Sequence, residues 1–129
     1  MSVDIENQEK QTIMAGTFND TFRQRTKKFN IDIVNFLEED RPDVFYSIVK
    51  KQLLRCSSSV GANFRALCRA KSEKDYQYKL GVVIEEVDES GYWLEILHET
   101  ARFSQKEVEP HLNEADELLR IFMKVKHSK

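Results

Sequence analysis

Apolar residues recur every three or four positions in four successive stretches of the chain, the spacing of helices that each bury one face. In the first stretch Phe18, Phe22, Phe29, Ile33, Phe36 and Leu37 fall on helical turns, with Asp32 and Glu38 between them. Thr17 and Asp20 stand in the relation of a capping box, which predicts a helix start at Thr17. The acidic run Glu38-Glu39-Asp40 and Pro42 predict its end. Residues 1–16 lack a sustained apolar face and read as a disordered or loosely ordered tail, ahead of a domain spanning residues 17–129.

The second helix is expected to start near Asp43, with an inward stripe of Phe45, Ile48, Val49, Gln52, Cys56, Ser59, Val60, Asn63 and Leu67. Ser72 with Asp75 supplies the next cap. A third helix then carries Tyr76, Leu80, Val83, Val87, Ser90, Leu94, Leu97 and Ala101 in alternating steps of four and three, a heptad seam. Ser104 with Glu107 forms another capping box before Leu112, Ala115, Leu119, Phe122 and Val125. Pro110 either opens the main segment of this fourth helix or kinks its first turn. Connections of only a few residues make successive helices antiparallel neighbours. The expected fold is all-α: an up-down-up-down four-helix bundle.

Composition agrees with that pattern. The 129 residues are 40% hydrophobic and 33% charged, with four Gly and two Pro, which favours long helices over a sheet in one domain. The residues through Gln11 are largely polar and acidic, so no secretory leader is expected. No apolar run approaches the ~20 residues of a membrane span. A cytoplasmic protein with no membrane partner is the expectation. Cys56 and Cys68 lie twelve apart in one helix, about 120° round it and roughly 18 Å along it, too far for a disulfide.

Small residues gather inside two helices: Ser57, Ser58, Ser59, Gly61 and Ala62 in the second, Gly81 and Gly91 in the third. Gly in a helix interior costs about 1 kcal/mol relative to Ala, so close helix crossing is expected there, with a binding notch as the alternative. Gln52 and Asn63 fall on the apolar stripe, where Arg55, Glu86 and Glu89 are candidate partners in a buried polar network.

Net charge is −2, which excludes the profile of a protein that coats DNA, but the charge is uneven. Residues 23–79 hold thirteen Lys and Arg against seven Asp and Glu, and residues 80–129 hold six against eleven. Arg23, Arg25, Lys27 and Lys28 on the first helix, with Lys50, Lys51 and Arg55 on the second, are candidate nucleic-acid contacts. The alternative is a solvated face, or pairing with acidic helices of a neighbouring copy. Tyr78, Val82, Ile84, Tyr92, Trp93 and Ile96 exceed what one core takes from the third helix, and mark a candidate oligomer interface.

No catalytic constellation emerges. His98, His111 and His127 stand apart, and the Glu-x-x-His spacing of di-metal bundles occurs once, from Glu95 to His98. No phosphate loop, nucleophile elbow or paired Cys motif is present, and the serine run has no base beside it. No metal, cofactor or catalytic residue is expected.

Three stretches carry a family resemblance: QLLRCSSSVGANF from Gln52 to Phe64, KSEKDYQYKLGVVIEEVDESGYWLEIL from Lys71 to Leu97, and NEADELLRIF from Asn113 to Phe122. Together they resemble the four-helix-bundle family named for the 23S rRNA intervening sequence protein, over roughly residues 18–126. Ser72, Lys74, Asp75, Lys79, Leu80, Glu86, Glu89, Tyr92, Trp93 and Leu94 fall where that family repeats such residues. The resemblance implies a homo-oligomer, specifically a homopentamer. Some members are encoded within insertions in 23S rRNA genes. A distant branch assists reverse transcriptases of diversity-generating retroelements, where a basic pentamer surface binds RNA and the polymerase. One departure stands out: acidic residues commonly follow the Gly-Ala-Asn of the family pattern, whereas Phe64, Arg65 and Ala66 follow Asn63 here.

The first functional expectation is a non-enzymatic homo-oligomeric adaptor that binds RNA or a nucleic-acid-processing protein through helices one and two. The second is a protein-interaction module without nucleic acid, and the third a di-metal ferritin-like enzyme.

Overall fold

A computed structural model describes residues 2–128, with side chains from Gly16 onward. Four helices follow in order: α1 Ser2–Phe36, α2 Val44–Leu67, α3 Glu73–Glu99 and α4 Gln105–His127, and no strand occurs among the described residues. Each helix packs on the next, and α4 closes back more lightly on α1. Asn19 lies against Cys68 while Asn30 lies against Ser57, so α1 and α2 run in opposite directions. The same falling order joins α1 to α4, where Phe22 meets Phe122 and Arg25 meets Glu114.

Helix α1 starts well before the cap expected at Thr17, which becomes an interior position. Its first turns contain no Pro and are rich in Glu, Gln and Lys, good helix formers that need no apolar face to continue a helix. The expectation of a loose tail over residues 1–16 falls almost entirely outside the described side chains. The other starts agree with their caps. Asp43 accepts from the backbone N–H of Phe45, Ser72 from that of Asp75, and Ser104 and Glu107 form a reciprocal capping box. Pro110 sits inside α4.

The core combines Phe22, Phe29, Ile33 and Leu37 of α1 with seven-residue alternations from the other helices. In α3 the buried set is Leu80, Val83, Val87, Ser90, Leu94 and Leu97, as the heptad spacing predicts. Ala101 instead lies in the turn beyond the helix, exposed. In α4, Val108 and Leu118 join Ala115 and Phe122 in full burial, while Leu112, Leu119 and Val125 pack at the core's edge.

Helix α2 is rotated from expectation. Tyr46, Val49, Leu53, Cys56, Ser57, Val60, Phe64 and Leu67 are buried, whereas Phe45 and Ile48 are exposed and Gln52, Ser59 and Asn63 are half-buried. The reason is that α2 packs on α1 on one side and α3 on the other, so two adjacent stripes are both apolar. The Arg102 guanidinium stands over one face of the exposed Phe45 ring, 4.8 Å from its centroid.

Aromatic rings close both ends of the bundle. Phe18, Phe22, Phe64 and Phe122 meet at one end, and Phe36, Tyr46, Phe103 and His111 at the other, with Arg41 over two of the rings. Between them α1 and α2 approach closely. A Cβ placed on Gly61 would stand 3.4 Å from the Thr26 carbonyl oxygen. Gly91 faces open space, so close crossing does not explain it.

Candidate nucleic-acid interface

The fold distributes the cations of α1 and α2 among several environments. Arg25 turns toward α4, where its guanidinium bonds Glu114 at 2.8 and 2.7 Å and Glu117 at 2.9 Å. The Glu114 hydrogen bonds outweigh the cost of burial and hold its proton more tightly than usual. Arg55 turns the other way, toward α3, and bonds Glu86 at 3.1 Å and also Glu89. Lys28 pairs with Asp32 one turn along, Lys50 with Asp40 in the α1–α2 connection, and Arg23 with the exposed Asp20. Lys27 and Lys51 have no ion pair among the described residues. The expected single basic surface is therefore divided, because Arg25 and Arg55 lie on opposite seams of the bundle.

The outer face between α1 and α2 adds two cations that the sequence reading passed over. A shallow groove of about 660 Å³ is lined by Arg23 and Lys27 from α1 and by Arg65 and Arg69 from α2. Gln24, Asn30 and Ser58 lie between them, and no carboxylate lines it. Arg65 and Arg69, both exposed, have no ion pair among the described residues. The signal was available: Arg23 with Lys27, and Arg65 with Arg69, are spaced one helical turn apart, so each pair shares a face. Gly61 positions the groove by letting the two helices close together.

The Gln52, Arg55, Glu86 and Glu89 group does come together, but on the α2–α3 surface and not in the core. Arg55 Nε donates to Gln52 Oε1 at 3.4 Å, and Trp93 Nε1 donates to Glu89 at 3.1 Å. Burial would raise the Glu89 carboxyl pKa, but the Trp93 and Arg55 hydrogen bonds prevail and lower it. Asn63 takes no part. Its amide donates to the Ser59 carbonyl of its own helix at 2.9 Å, because α2 is rotated away from the expected stripe.

Of the six candidate interface residues on α3, Ile84, Trp93 and Ile96 pack partly against the core. Val82 is half-buried, while Tyr78 and Tyr92 are exposed. The apolar surplus is thus narrower than expected, and Tyr92 already stands edge-on to Trp93 at 4.9 Å. Beside it, a groove of about 440 Å³ between α3 and α4 carries Glu85, Asp88, Glu95 and Asp116 over Leu112 and Leu119. The molecule has a basic groove on α1–α2 and an acidic one on α3–α4.

Chemistry elsewhere is sparse. Burial pushes the Cys56 thiol up to about 11, and the Ser90 hydroxyl donates to its sulfur at 3.2 Å. Both cysteines are free. The His98 ring lies 3.3 Å from the Phe103 carbonyl oxygen. Among the described residues no group of three or more His, Cys, Asp or Glu is arranged to hold a metal ion. Nor is any helix among them long and apolar enough to cross a membrane.

Comparison with known proteins places this geometry in context. The family model described as 23S rRNA-intervening sequence protein matches residues 20–124. A solved structure from Bacteroides thetaiotaomicron, described as a protein of unknown function from the S23 ribosomal protein family, is 27% identical to this chain. The match covers 84% of this chain and 97% of that one, with a TM-score of 0.77. No curated protein matches.

Proposed function

Since the chain belongs to the 23S rRNA-intervening sequence protein family, we propose that it is a non-enzymatic, RNA-binding accessory protein that acts through its α1–α2 face. The observation that carries this reading is the set of cations left without acidic partners there. Lys27, Arg65 and Arg69 border one groove free of carboxylates, and Lys51 stands without an ion pair among the described residues. A cation already bonded to a carboxylate must break that bond to meet a phosphate, so unpaired cations are the ones free to displace counterions from a nucleic acid.

The reading includes self-assembly, as a pentamer by family resemblance. The exposed Tyr78 and Tyr92 on α3 support it, since exposed aromatics are enriched at protein interfaces. Light scattering on the purified chain is expected to give a mass several times that of one copy, falling toward one copy in Tyr92→Glu.

Fluorescence anisotropy with a labelled RNA tests the binding. Affinity is expected to fall steeply between 50 and 200 mM salt, by about 10³ or more if six or so phosphates are contacted. Charge reversal in K27E/K51E weakens it further. Affinity insensitive to both salt and reversal removes the reading. The acidic α3–α4 groove, with its apolar floor, favours a second reading as a protein-interaction module. Capture of a defined partner that survives nuclease treatment, with no RNA affinity, would select it.

A further inference from the structure

We propose that the α1–α2 groove holds one phosphate ridge of double-helical RNA and does so without reading its sequence, an inference that rests on the RNA-binding reading above. The groove presents two facing rows, Arg23 with Lys27 on α1 and Arg65 with Arg69 on α2. Within each row the cations are four residues apart, about 6 Å along the helix, a step on the scale of successive phosphates in a strand. The rows face each other because α1 and α2 run antiparallel and approach closely at Gly61.

Three of the four cations are arginines, whose planar forks fit two phosphate oxygens at once, though Arg23 must first release its exposed pair with Asp20. Neutral donors lie between the rows. The Asn30 side-chain amide lies 3.5 and 3.3 Å from the Ser57 and Ser58 hydroxyls, and the Ser58 hydroxyl donates to the Leu54 carbonyl at 2.6 Å. Amide and hydroxyl side chains of this kind are among those that contact phosphate oxygens.

What lines the groove also excludes other modes. No aromatic ring lines it, so it offers no stacking platform for splayed bases, the usual means of holding a single strand. Bases that stay stacked in an A-form helix keep their major-groove edges too deep for side chains, which leaves the phosphate backbone and the 2′-hydroxyls of the shallow minor groove in reach. Phosphate contacts fix position and carry no direct sequence information.

The experiment compares RNA hairpin duplexes of unrelated sequence with single strands of equal length, using the full chain and anisotropy over a salt series. Duplexes are expected to bind within about twofold of one another and more tightly than the single strands. R65E/R69E should weaken duplex binding at least about tenfold and flatten the salt slope by about two, since each duplex phosphate contact contributes about 0.9. K106E/K124E on α4 should change neither quantity, and circular dichroism checks that every variant keeps its helices. Tighter binding of single strands, or affinity that follows sequence, overturns the proposal. Binding that survives R65E/R69E but is lost in K50E/K51E also overturns it, while leaving the RNA-binding reading in place. Failure of the wild-type chain to bind any RNA removes both.

Discussion

Ala101 has a left-handed backbone, with φ of 61°, where α3 ends and the backbone N–H groups of Arg102 and Phe103 turn back to the Leu97 carbonyl. An L residue with a Cβ is strained there by about 1–2 kcal/mol, and glycine is the usual solution. Ala101→Gly is therefore expected to stabilise the chain by up to about 1 kcal/mol once the entropy of glycine is subtracted, read from urea denaturation. His111 makes a second residue-scale prediction. Burial lowers its pKa from 6.5, Asp32 opposes that and Lys28 adds to it, and its ring packs on Phe36. The folded state thus disfavours the imidazolium. Its contribution is fully present above about pH 6.5 and is lost as pH falls from there through the depressed folded value. A pH series of denaturation midpoints should show that loss in the wild type and less of it in His111→Phe, which keeps a ring beside Phe36. Equal slopes in the two proteins would contradict the assignment.

Among the elements, α3 was the most legible, because one uninterrupted heptad seam admits a single rotation of the helix. Helix α2 was not, since apolar residues flank the true stripe and only its two neighbours decide which side turns inward. Caps were legible wherever a Ser or Asp precedes the helix, as at Ser104. Ser104→Ala removes the acceptor for the Glu107 N–H and should cost about 1 kcal/mol, measured as a fall in denaturation midpoint. At the α1–α2 crossing, Gly61→Leu should cost about 1–3 kcal/mol by forcing the helices apart at the Thr26 carbonyl. The same change should open the groove above it. The site was only half legible for a reason of distance. Cations can be counted from sequence, but their availability depends on partners such as Glu114, 89 residues from Arg25.

For the whole molecule, the central feature is electrostatic polarity: cations line the groove on α1–α2, and carboxylates line the groove on α3–α4. The opposing charge halves visible along the sequence become two faces because consecutive helices are neighbours in space. Lysine footprinting of the RNA complex tests the functional account of that polarity most directly, by comparing the reactivity of individual lysines with and without RNA. Protection of Lys27 and Lys51 on α1–α2, with the exposed Lys106 and Lys124 on α4 unchanged, is the predicted result. Protection confined to α4, or none on any lysine under conditions where RNA is bound, would contradict it.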